Sequence, residues 1–118
     1  MLITFEMISE NLNINYKVFG KMEGNTLIFP DKSTPNTMMN VTIGDDFVEI
    51  KRSGKVEMLQ RFKFNSKESG FYRNDMGIEF EISSFTTEIS ITKNQIEVFY
   101  EYYLSNEWQS SNKLKIIF

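Results

Sequence analysis

Apolar and polar residues alternate one by one through most of this chain, and a two-residue period is the signature of half-buried β-strands. Ile14, Tyr16 and Val18 alternate with Asn13, Asn15 and Lys17, and Met39, Val41 and Ile43 alternate with Asn40 and Thr42. Val48 and Ile50 lead into Val56, Met58, Phe62 and Phe64, with Glu57, Arg61 and Lys63 on the opposite parity. Ile78, Phe80 and Ile82 alternate with Glu79 and Glu81, and Ile96, Val98, Tyr100 and Tyr102 with Glu97 and Glu101. The chain closes on Leu114, Ile116 and Phe118. Successive side chains of a strand point to opposite faces, so each set predicts a strand with one face in the core and one in water. No segment shows the spacing of an amphipathic helix.

The connectors between these sets are short enough to test for register. Asp75-Met76-Gly77 places Gly third, as a type I turn with a G1 bulge requires. It sets Tyr72 opposite Phe80 and Arg73 opposite Glu79, so apolar meets apolar and cation meets anion. Gly44-Asp45 fits a two-residue type II′ turn that pairs Val41 with Val48 and Met39 with Ile50. Lys93-Asn94 pairs Ile91 with Ile96 and Ile89 with Val98. Around Arg52-Ser53-Gly54-Lys55 two registers keep the apolar face intact: a loop of 52–54 opposes Glu49 to Glu57, and one of 53–55 pairs Lys51 with Glu57.

Between Ile82 and Ile89 the apolar parity changes from even to odd across Ser83-Ser84-Phe85-Thr86-Thr87. A one-residue offset requires a bulge or bend, because otherwise the second half of the strand would face outward. Pro30 to Pro35 reads as the main irregular loop and Ser105 to Asn112 as the next. These features describe an all-β antiparallel meander of about 8 to 10 strands, and closure into a barrel would remove its two edges. A flattened sandwich is the other architecture open to such a chain. At 118 residues there is room for one core, so residues 1–118 read as a single domain. Rich Phe and Ile content, with 14% aromatics overall, suits a pleated surface better than a helix.

Absent residue types narrow the chemistry. Without Cys there is no disulfide, thiolate nucleophile or thiolate zinc site. Without His there is no imidazole base, no Ser-His-acid triad and no imidazole metal ligand. The six glycines are isolated and form neither GxGxxG nor a phosphate-binding loop. A net charge of -3, with 13 scattered Lys and Arg, argues against a nucleic-acid partner. No apolar run approaches the roughly 20 residues that span a bilayer. The opening Met1-Leu2-Ile3-Thr4-Phe5-Glu6 lacks a basic n-region, so the expected location is the cytoplasm. No cofactor, metal or catalytic residue is expected.

The segment Arg52-Ser53-Gly54-Lys55-Val56-Glu57-Met58-Leu59-Gln60-Arg61-Phe62 resembles a signature of the YwiB-like proteins. The likeness continues in Phe71-Tyr72 through Gly77-Ile78-Glu79, in Gln95-Ile96-Glu97-Val98-Phe99-Tyr100 and in the closing Asn112-Lys113-Leu114-Lys115-Ile116. Upstream, Phe19-Gly20 and Leu27-Ile28-Phe29 sit where that family has its early strands. The resemblance implies a calycin-like, lipocalin-type β-barrel in a bacterial, intracellular setting, and it brings no catalytic residues or substrate. An abbreviated N-terminal region departs from longer relatives and would leave one barrel end less covered.

Arg52 shares parity with Val48 and Ile50, and Gln60 with Met58 and Phe62. Tyr72, Tyr100 and Tyr102 are likewise in phase with apolar neighbours. An inward-facing charge needs a partner. In the functional reading, Arg52, Gln60, Phe62, Tyr72, Tyr100 and Tyr102 line the interior and orient a small apolar or amphipathic ligand with a carboxylate or phosphate head. In the plainer reading, Arg52 closes the barrel end on backbone carbonyls or a Glu. Met39, Met58, Phe62, Phe64, Phe80 and Tyr100 then either fill the interior or line a cavity. Glu79 with Glu81 and Glu97 with Glu101 lie on the solvent parity, which does not suit a catalytic carboxylate pair. The second functional class is a protein-interaction or homodimerisation module with a filled barrel, motivated by the outward-phased Phe47, Phe71, Phe99 and Tyr103 and by Trp108 in a loop.

Overall fold

Alternation carries nearly the whole chain into strands. The computed structural model describes all 118 residues, as β1 (Leu2–Ser9), β2 (Leu12–Phe19), β3 (Lys21–Glu23), β4 (Thr26–Pro30), β5 (Thr37–Ile43), β6 (Phe47–Gly54), β7 (Glu57–Lys63), β8 (Lys67–Arg73), β9 (Glu79–Ile91), β10 (Gln95–Leu104) and β11 (Glu107–Ile117). These make one 11-stranded antiparallel sheet in the order β2-β1-β11-β10-β9-β8-β7-β6-β5-β4-β3. The strand count exceeds the expected range because β3 is a three-residue strand with no alternation to betray it.

The first and last strands of that order, β2 and β3, are consecutive in the chain and joined by Gly20 alone. A Cβ on Gly20 would lie 2.6 Å from Ile28 O and 2.8 Å from Phe29 Cβ. Glycine therefore lets the chain turn a corner there and bring β2 against β4, which nearly closes the sheet. The result is an antiparallel barrel consistent with the calycin type, and the sandwich is set aside.

Two of the hairpins have the expected registers. Tyr72 faces Phe80 and Arg73 faces Glu79, with Gly77 at φ 80°. Ile91 faces Ile96 and Ile89 faces Val98. The parity switch is also present: the β9–β10 register shifts between Phe99 and Tyr100, whose partners are Glu88 and Thr86, so Thr87 is the extra residue.

Two hairpins are corrected. Val41 pairs with Ile50, Ile43 with Val48 and Met39 with Arg52, so Asp45-Asp46 forms the loop and Gly44 N donates to Phe47 O at 2.9 Å. The Phe47 ring occupies the space of a Gly44 Cβ, at 2.1 Å, which favours this register. Neither register considered for the next hairpin occurs: Arg52 faces Met58, Lys51 faces Leu59 and Glu49 faces Arg61. Gly54 stays in the ladder opposite Thr37 at φ 129°, a backbone conformation open to glycine, and a Cβ there would lie 2.1 Å from Asn36 O. Glu57 finds its cation on the next strand, in Arg73.

Residues 105–112 are a further correction. Only Ser105-Asn106 turn, at φ 48° and 66°, as a type I′ hairpin requires, and β11 starts at Glu107. Trp108 is therefore a strand residue, and a register shift beside it brings Ser110 opposite Tyr102. Trp108 is the one apolar residue in this stretch and it points outward, so alternation could not reveal the strand. Pro30 to Pro35 does carry the loop, which spans 31–36 between β4 and β5.

One end of the barrel is solidly filled. Ile3, Leu27, Val41, Val48, Ile96, Val98, Leu114 and Ile116 are all buried there, with Phe29 and Phe62 beside them. Phe64 and Phe80 were expected inside and are not. Phe64 follows the end of β7 and is 61% exposed. Phe80 and Ile78 lie past Ile82, the last β9 residue paired with β10, so they have no strand beside them on that side. On the outer face, Phe47, Tyr103, Phe71 and Phe99 each carry a cation over the ring: Arg61 at 4.2 Å, Lys67 at 4.0 Å, Arg73 at 5.7 Å and Lys113 at 5.8 Å. No helix is long and apolar enough to cross a membrane.

Candidate functional site

The other end of the barrel is hollow. A cavity of about 460 Å³ runs inward from it, within the roughly 300–1,000 Å³ typical of small-molecule sites. Its floor is made of buried Phe5, Met39, Ile50, Gln60, Tyr100 and Asn112, on β1, β5, β6, β7, β10 and β11. Met7, Ile14, Met58, Tyr72, Tyr102 and Leu104 form half-buried walls, and Leu12, Ser33 and Gln109 reach the open mouth. Apart from Gln109, the extra residue at the β11 register shift, the strand contributions come from the inward parity, so the alternation of the sequence becomes the lining.

The structure brings five of the six residues singled out from the sequence onto this one cavity: Arg52, Gln60, Tyr72, Tyr100 and Tyr102. Phe62 lies just below, with its ring 4.6 Å from that of Tyr100, and belongs to the packed core. Gln60 is held by donating from Nε2 to Ser84 Oγ at 2.9 Å.

Arg52 has neither a backbone carbonyl nor a Glu as partner. Its Nε and Nη2 lie 3.0 and 2.9 Å from Asp31 Oδ2, and Nη2 also donates to Thr34 Oγ1 at 2.7 Å. Asp31 is the first residue of the 31–36 loop, and its side chain is 1% exposed against 17% for Arg52. Ser33 N donates to Asp31 Oδ1 at 2.9 Å, and the Tyr16 hydroxyl points to the same oxygen at 3.4 Å. Burial, then the Asp31 carboxylate, holds the Tyr16 phenol well above its ordinary range. The loop is thereby pinned over the cavity mouth, where Ser33 and Thr34 join the lining.

On the floor, Asn112 Nδ2 donates to the Tyr100 hydroxyl at 3.1 Å, and that hydroxyl points its own hydrogen toward Met7 Sδ at 3.6 Å. Burial pushes the Tyr100 phenol up to about 12, against the pull of the Asn112 bond. Burial likewise raises Tyr102, with Tyr72 adding to the effect. Asn112 Oδ1 is buried with no hydrogen-bond partner.

Asp31 and Asn112 are the residues that sequence reasoning missed. Asp31 follows Pro30 in a loop, where an acid ordinarily signals a turn, and Asn112 falls in a polar stretch. The parity of Asn112 with Leu114 and Ile116 was the available signal.

The family model described as "Domain of unknown function (DUF1934)" matches residues 4–116. The chain belongs to the DUF1934 family. A search of the curated proteins finds no match. Among solved structures, the crystal structure of ywiB protein from Bacillus subtilis is similar to this DUF1934 chain, with a TM-score of 0.64 at 16% identity. The alignment covers 98% of this chain and 85% of that one, so the YwiB-like fold implied by the central Arg52–Phe62 segment extends over the whole barrel.

Proposed function

We propose that this DUF1934 protein is a non-catalytic binding protein that holds one small apolar or amphipathic molecule in the hollow end of its barrel. The observation that carries the reading is the cavity itself: a deep, mainly apolar space with a few convergent polar groups, of a size suited to such a molecule. Its lining includes no carboxylate, and the chain has no Cys or His, so acid–base or nucleophilic chemistry would fall to phenols that burial holds protonated. The reading takes a bacterial cytoplasmic setting as its context, which the YwiB-like resemblance supports and a chain without cysteines suits. The interaction-module alternative has less support, because four of the five aromatics that motivate it lie under cations, and Trp108 alone stands exposed without one.

Native mass spectrometry of gently purified protein tests the reading. A small adduct released on denaturation is expected, and Ser110→Trp, which intrudes on the cavity wall, should abolish it. Protein free of any adduct that also leaves the neutral dye Nile red unbound would overturn the proposal.

A further inference from the structure

Two tyrosine hydroxyls in the cavity lining are free. Tyr72 on β8 and Tyr102 on β10 face inward, while the hydrogen bonds of the lining join other groups: Gln60 to Ser84, Asn112 to Tyr100, and Arg52 to Asp31 and Thr34. Neither phenol oxygen is sealed off, because the buried side-chain polar atoms without a partner are Arg61 Nε, Thr86 Oγ1 and Asn112 Oδ1. Paired strands from β7 to β11 separate the two tyrosines from the outer face. The space their hydroxyls reach is therefore the cavity. They also stand near one another, since a charge on Tyr72 is felt at Tyr102.

A tyrosine hydroxyl carries one hydrogen to donate, and two donors that reach one space match the two lone pairs of a carbonyl oxygen. A hydrocarbon in the same place would displace water and leave both donors unpaired, a cost that a carbonyl avoids. A carboxylate could accept as well, but it must bring its charge out of water. The only charged side chain in the lining is Arg52, whose Nε and Nη2 lie 3.0 and 2.9 Å from Asp31 Oδ2. An anion brought to Arg52 would also approach that buried carboxylate, so attraction and repulsion largely offset one another.

We infer that the cavity selects an uncharged molecule with an apolar chain and a carbonyl head, of the ketone or ester class, and that the hydroxyls of Tyr72 and Tyr102 donate to the carbonyl oxygen. This rests on the cavity-binding reading above and narrows its chemistry.

Nonan-2-one, octanoate and 2-methylnon-1-ene share one alkyl chain and a planar head of one shape. Their heads are a neutral acceptor, an anion and a hydrocarbon. Displacement of diphenylhexatriene, a hydrocarbon dye without donor or acceptor, from the full-length protein at neutral pH ranks them. Nonan-2-one should bind about tenfold tighter than either of the others. Tyr72→Phe and Tyr102→Phe keep the rings and remove the hydroxyls. Each should cut the preference for ketone over alkene, measured on the same variant, to about threefold, and the double variant should remove it. Tyr103→Phe, on the outer face under Lys67, should keep the preference at about tenfold. Octanoate binding as tightly as the ketone overturns this inference alone. So does a ketone preference that is missing from the unsubstituted protein, survives the double variant or is lost equally in Tyr103→Phe, and so does bound dye that the ketone does not displace. Failure of the dye to bind, with no heat on calorimetric titration of any of the three probes, overturns the cavity reading with it.

Discussion

Asp31 and Arg52 meet 21 residues apart in sequence, and their pair holds the 31–36 loop against β6. Removing one member leaves the other charge buried, which costs more than the pair itself contributes. Arg52→Met should therefore lose about 3 kcal/mol in urea unfolding at neutral pH, and adding Asp31→Asn to it should restore part of that loss. A full loss retained in the double variant would show that the pair matters for packing alone. The tyrosines make a second residue-scale prediction. Tyr100 is raised from 10.0 to about 12 by burial, and Tyr16 and Tyr102 are raised with it. The unfolded chain ionises these phenols first, so their contribution is complete below about pH 10 and is lost as pH rises toward about 12. Denaturation midpoints should be level up to pH 10 and fall above it, and Tyr100→Phe should make that fall shallower.

At the scale of strands, the two corrected hairpins differ from their expected registers by even offsets, of two or four residues, and so keep the inward side chains inward. Val41 faces Ile50 instead of Val48, and Lys51 faces Leu59 instead of Glu57. Alternation has a period of two and is blind to such a slip, while a one-residue offset, as at Thr87, is visible at once. What separates the registers is close backbone approach. Gly54 lies so near Asn36 O that its substitution tests the observed pairing. Gly54→Ala combines a steric overlap with a left-handed backbone and should cost about 2 kcal/mol. Hydrogen exchange at Asp31 N, which bonds Thr37 O at 2.9 Å, should quicken with it. An unchanged exchange rate would mean that the end of β6 does not support the loop.

The whole barrel divides into a packed end and a hollow end, and the two should respond differently to truncation. Leu27 is fully buried among the strands of the packed end. Met58 stands on the cavity wall. Leu27→Ala opens a new void and should cost about 3 kcal/mol, whereas Met58→Ala enlarges an existing one and should cost about 1 kcal/mol. Equal losses in chemical denaturation would mean that the cavity wall is as tightly packed as the core.

Most strands, the facing of most of their side chains, the G1 turn at Gly77 and the bend near Ser84 could be read from residues close together in the chain, whereas β3 and the exposed Phe64 and Phe80 could not. The inward phase of Arg52, Gln60, Tyr72, Tyr100 and Tyr102 was legible too, since parity is a local property of a strand. The start of β11 was not legible, because its one apolar residue, Trp108, points outward. Nor were the partners of the inward polar groups: which acid meets Arg52, and which buried amide lacks a donor, depend on strands brought together from distant parts of the chain. Whether the barrel is filled or hollow was beyond the sequence for the same reason. It depends on how inward volumes from eleven strands sum across one interior, and only the closed barrel performs that sum.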